Sequence, residues 1–91
     1  DVIRGWVLHE NIWINRISII FQLKFKQTTD LEFLSFAILE NCNTKEFFLN
    51  KAIGWALREY SKTDPDWVKA FINKHTLNSL SIREGLRRIN N

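Results

Sequence analysis

Apolar residues recur along this chain at three- and four-residue spacing almost from end to end, and the period-two alternation of a half-buried strand is absent. The pattern predicts an all-α fold of five to six helices joined by short turns. A first helix is expected over about residues 1–8, too short to be stable alone. A second is expected from about Asn11, its N-cap, to Gln27, with Trp13, Ile14, Ile17, Ile20, Phe21 and Lys24 on one face. Thr28 and Thr29 break it. Asp30 caps a third helix over about Leu31 to Asn41, with Leu34, Ala37 and Ile38 inward. Thr44 is expected to cap a fourth helix, Lys45 to Lys62, where Glu46 favours the start. Asp64 followed by Pro65 is a strong start signal for a fifth helix ending near His75. A sixth is expected from Leu80 or Ser81, carrying Ile82, Leu86 and Ile89.

Short connections between helices of this kind fit stacked antiparallel helix pairs, the arrangement of an α-solenoid, with a compact bundle as the alternative. No strict internal repeat is visible. The chain has 91 residues, enough for one small domain. Four Trp and seven Phe let few positions fill a helical core. It has no Met, begins at Asp1 and turns apolar at Val2 and Ile3, which leads us to expect a piece of a longer protein.

The fourth helix carries the most informative placement. At about 100° per residue, Leu49, Ala52, Ile53, Ala56, Leu57 and Tyr60 fall on one broad core face. Lys51 and Arg58 lie opposite, Trp55 falls beside them, and Gly54 leaves bare backbone nearby. Trp55 either packs against a neighbouring helix at the edge of the core or offers an aromatic surface flanked by cations. Such a surface can meet a sugar or base with its π-face while the cations hold phosphates. Arg16 is similarly off the apolar face of the second helix, beside Ile19 and Leu23. It either snorkels to water or acts as a planar clamp for phosphate.

Charge adds a modest asymmetry. The net charge is +3; residues 1–43 carry four Lys/Arg against five Asp/Glu, and residues 44–91 carry nine against five. A basic half is compatible with nucleic acid, as it is with solvated helices. Arg83, Arg87 and Arg88 form a basic end open to the same two readings.

The remaining chemistry is thin. His9 and Glu10 are expected in a loop with no second ligand at metal spacing, and His75 is far away in sequence, so no metal site is expected. Cys42 is alone and reads as a small helix-end residue rather than a nucleophile. Glu32, Glu40 and Glu59 are not arranged for acid–base work, Asp64 reads as a cap, and there is no phosphate-binding Gly loop. No signal or spanning segment is visible.

The residues singled out above also carry a family resemblance. KEFFLNKAIGWALREYSKTDPDWVKAFI, Lys45 to Ile72, resembles DNA alkylation repair enzymes of the AlkD-like type, and its AIGWALREY core, Ala52 to Tyr60, is the most specific part. NIWINRISIIFQLKFKQTTD, Asn11 to Asp30, and SIREGLRRI, Ser81 to Ile89, are similar to the preceding and closing parts of the same family. The resemblance implies HEAT-like helix pairs bent around duplex DNA, residues 1–91 being the C-terminal part of a glycosylase domain whose earlier repeats lie upstream. It implies hydrolysis of the N-glycosidic bond of N3- and N7-alkylated purines, with the lesion left in the stack rather than flipped out. It places Trp55 against the lesion nucleotide and Arg16 in the DNA cleft, and geometry extends DNA contact to Lys51 and Arg58. The family's catalytic Asp, preceded by a Trp one helical turn earlier, belongs to an upstream helix; here Trp6 is followed at that spacing by Glu10, so no catalytic residue is expected within this chain. The resemblance further implies a monomeric cytoplasmic protein associated with the nucleoid, with double-stranded DNA as its partner, no membrane and no cofactor. The alternative is a non-catalytic helical-repeat scaffold that binds DNA or protein.

Overall fold

A computed structural model describes residues 2–89. The described residues hold six α-helices: α1 (Val2–Val7), α2 (Ile12–Ile20), α3 (Leu31–Asn41), α4 (Phe47–Ser61), α5 (Pro65–Lys74) and α6 (Ser79–Leu86). A 3₁₀ turn, Lys26–Thr28, lies between α2 and α3. The fold is all-α, as the periodicity predicts. The start expected at Asp1 lies outside the described residues.

Four helix starts are fixed by local side-chain chemistry. The Asn11, Asp30, Asp64 and Asn78 side chains accept from the backbone N–H groups of Trp13, Phe33, Trp67 and Leu80, at 2.8, 3.0, 3.0 and 2.9 Å. Each thereby satisfies one of the donors that a helix start leaves open. Asn78 moves the start of α6 to Ser79, ahead of the expected Leu80 or Ser81. The start of α4 differs as well. Thr44 Oγ1 accepts from Glu46 N, two residues along, and the helix begins at Phe47 with Glu46 in the cap position.

The helices form two layers. α4 lies between α2 and α6 and packs on both, while α1 packs on α2 and α3, and α5 packs on α4 and α6. The smallest extent, 19 Å against 36 and 29 Å, is that of two helix layers at about 10 Å each. Ile19, Leu34, Ile38, Ile53, Leu57 and Val68 fill the space between them. This is the stacked-pair arrangement of a HEAT-like repeat.

The α4–α6 contact is close because two glycines permit it. A Cβ on Gly54 would stand 2.7 Å from Glu84 Cβ and 3.3 Å from the Ser81 backbone, and one on Gly85 would stand 3.1 Å from Leu57 Cβ. Ser81 Oγ donates to Asn50 O at 2.8 Å across the same seam. Gly54 therefore does not leave bare backbone beside Trp55, as the sequence suggests; it is buried beneath α6.

α2 departs most from its expected form. It ends at Ile20, its buried residues are Asn15, Ser18 and Ile19, and Gln22 is buried just beyond its end, whereas Trp13 and Ile17 remain 52% and 45% exposed. Hydrogen bonding explains the inversion. Gln22 turns its amide to the backbone of Asp30, donating to the carbonyl at 3.2 Å and accepting from the N–H at 2.7 Å. That clamp bends the chain into the loop that replaces the last expected turns.

Asn15 Nδ2 donates to the carbonyls of Trp6, Val7 and His9 at 2.9, 3.0 and 2.7 Å, so it closes the end of α1 from inside the fold. This is how a six-residue helix persists. Replacing Asn15 by Leu removes this donor from all three carbonyls and leaves the buried Val7 carbonyl with Asn41 Nδ2 at 3.2 Å. We expect a loss of about 2–3 kcal/mol, readable as a lower urea midpoint.

Candidate nucleic-acid interface

α2 and α4 run parallel across one layer, and the residues on their outward faces meet along the groove between them. On α4, Phe48, Lys51, Trp55 and Arg58, followed by Lys62 at its C-cap, succeed one another at alternating three- and four-residue intervals, which keeps them on one side of the helix. On α2 the facing residues include Trp13 and Arg16.

The two residues that sequence places off their helix cores come together here. The Arg16 guanidinium lies over the Trp55 ring, with its carbon 5.9 Å from the ring centroid. Trp55 is 41% exposed, so it is not a core residue. Arg16 is half-buried, and its Nε is shielded from solvent without a hydrogen-bond partner. A cation set over an aromatic face is attracted by the ring quadrupole, and the edge of its plane stays free to donate.

Lys51 and Arg58 flank the pair differently. Lys51 is exposed, with its ammonium 5.5 Å from the centroid of Phe47. Arg58 is half-buried, and Arg58 Nη1 reaches Glu84 on α6 at 4.0 Å. Its Nε, like that of Arg16, is sealed from solvent and has no acceptor. Glu84 also meets Arg87 at 3.6 Å. Glu59, one turn beyond Trp55, pairs with Lys62 at 2.9 Å. Both carboxylates beside this surface are thus engaged by cations.

Sequence reasoning missed two parts of the surface. The Trp13 and Phe48 rings meet at 5.1 Å, and Phe48 meets Phe47 at 5.3 Å, forming an exposed aromatic wall at the amino ends of α2 and α4. The assignment of Trp13 to the core hid it. Glu84 was missed because the one residue that brings it beside Arg58 is Gly54, whose role in helix contact leaves no mark in the hydrophobic pattern.

Burial pushes the Tyr60 hydroxyl above its ordinary range, and the nearby Asp64 charge adds to the effect. Among the described residues no three His, Cys, Asp or Glu side chains converge as metal ligands would, and no helix is long and apolar enough to cross a membrane.

Comparison with known proteins adds an independent line. The family described as DNA alkylation repair enzyme matches residues 1–89. A solved structure, described as a predicted DNA alkylation repair enzyme from Enterococcus faecalis, superposes with a TM-score of 0.87 at 38% sequence identity. The match covers 93% of this chain and 42% of that one, so this chain spans less than half the length of its solved relative. No curated protein matches the chain.

Proposed function

This chain belongs to the DNA alkylation repair enzyme family, and on that premise we propose that it supplies one wall of the DNA-binding cleft of a glycosylase that removes N3- and N7-alkylated purines. Trp55 lies against the lesion nucleotide, Arg16 and Arg58 hold backbone phosphates, and Lys51 adds a further cation to the same strand. The lesion stays in the base stack. The carboxylate that positions the hydrolytic water comes from outside these 91 residues. The observation that carries the reading is the Arg16–Trp55 pair, an arginine set 5.9 Å from the ring centre of a half-exposed tryptophan.

The chemistry follows from the substrate. An alkylated purine bears positive charge and leaves readily, so cleavage asks little of a general acid. It asks for stabilisation of the cationic sugar that remains. The Trp55 face offers a π-surface for that charge, and phosphates gripped nearby keep the sugar over it. The planar guanidinium groups of Arg16 and Arg58, both half-buried on the groove, suit phosphate oxygens. The ion pairs at Glu59 and Glu84 fit a wall that binds rather than one that activates water. We place the protein in the cytoplasm, as a monomer on the nucleoid, and without a cofactor.

Two measurements test this. The intact protein is expected to release 7-methylguanine from methylated duplex DNA. No release with enzyme in excess over sites would leave a non-catalytic scaffold. Arg16→Ala is expected to weaken duplex binding and to reduce the slope of log Kobs against log salt by about one. An unchanged slope would take Arg16 out of the phosphate contacts.

A further inference from the structure

Beyond the Arg16–Trp55 pair, the same groove opens into a cavity of about 630 Å³ at the carboxyl ends of α2 and α4. Its floor includes Ile19, Leu23 and Ala56, and its rim carries Lys24, Lys26 and Lys62 against the single carboxylate of Glu59. Glu59 is already held by Lys62. We propose that this cavity is a second phosphate site, which grips the duplex backbone to one side of the lesion contact. The proposal rests on the duplex-binding reading of the groove and adds to it three residues that the family resemblance did not single out.

Three observations point there. The first is alignment. Lys62, at the C-cap of α4, lies seven residues beyond Trp55 on the same side of that helix, and Lys24 lies in the turn that follows α2. Two helical turns span about 11 Å, the rise of about three nucleotides along the duplex axis. A strand seated on Arg16 would reach the cavity without bending away.

The second is charge. Three ammonium groups surround a concave surface with one carboxylate among them, an excess that a polyanion would offset.

The third is the way Lys26 is presented. Its φ of 52° lies in the left-handed region that long side chains rarely adopt. The loop around it is pinned at several points. Phe25 N donates to Gln22 O, Thr29 N to Lys26 O, and Thr28 Oγ1 to Phe25 O, while the Gln22 amide clamps Asp30. Lys26 thus starts from a fixed position on the cavity rim. A lysine needed only for solubility gains nothing from such a conformation.

Lysines at the carboxyl end of a helix also offset its dipole, and that role would show in stability alone. The test is the salt dependence of undamaged-duplex binding by the intact protein, read by fluorescence anisotropy of a labelled duplex. With Lys24→Gln, Lys26→Asn and Lys62→Gln combined, the slope of log Kobs against log salt is expected to fall by about two to three. The single change Lys26→Asn keeps the left-handed conformation accessible, because Asn tolerates it, and is expected to lower the slope by about one. It decides the matter if the triple variant fails to fold. A slope unchanged in these variants, while Arg16→Ala lowers it, would overturn the second site and leave the first standing. Absence of salt-dependent binding in the unaltered protein would remove the duplex reading itself, and this site with it.

Discussion

Replacing Trp55 by Ala is expected to cut 7-methylguanine release about thirtyfold while leaving the fold intact. The estimate takes about 2 kcal/mol for an aromatic face on a cationic sugar in a desolvated site, at about 1.4 kcal/mol per factor of ten in rate. The cost in stability is smaller than for a core Trp. Trp55 is 41% exposed, and its truncation is expected to cost about 1–2 kcal/mol, against about 3–5 kcal/mol for a fully buried aromatic. The two effects separate cleanly. Single-turnover base release and a urea titration on the same preparation decide between them. A large loss of stability with activity per folded molecule unchanged would make Trp55 a packing residue.

A large structural effect is expected at Gly54. Gly54→Val puts side-chain carbons where Glu84 Cβ and the Ser81 backbone already stand. Neither the Glu84 Cβ nor the Ser81 backbone can swing aside, so α6 must move off α4. We expect a net loss of about 2–3 kcal/mol from overpacking, even though valine suits a helix somewhat better than glycine. Chemical denaturation measures it. The change also carries Glu84 away from Arg58, whose guanidinium it holds at 4.0 Å. A variant as stable as the unaltered protein would mean that the α4–α6 seam can open without cost.

Gly54 also marks the limit of what the sequence reveals. The helix pattern was legible because apolar spacing and capping residues agreed: Asn11, Asp30 and Asp64 all cap as their positions suggest. The core face of α4 was legible for the same reason, since Leu49, Ala52, Ile53, Ala56 and Leu57 are all buried. α2 was misread because its interior is polar. Hydropathy ranks Trp13 and Ile17 as core residues and Asn15 and Gln22 as surface, and hydrogen bonding reverses both. Arg16 and Trp55 stood out as residues on the wrong face of their helices. Their meeting across the groove depends on how α2 and α4 stack, which no single-helix projection contains.

The central claim is that DNA lies along the α2–α4 groove rather than elsewhere on a basic protein. Charge-matched variants of the intact protein test it most directly. Arg16→Ala with Lys51→Ala removes two cations from the groove; Lys69→Ala with Lys74→Ala removes two exposed cations from α5, in the other layer. The measurement is the slope of log Kobs against log salt for a short duplex. The groove pair is expected to lower it by about two and the α5 pair to leave it unchanged. Equal losses from both pairs, or a greater loss from α5, would contradict the placement of DNA on this face.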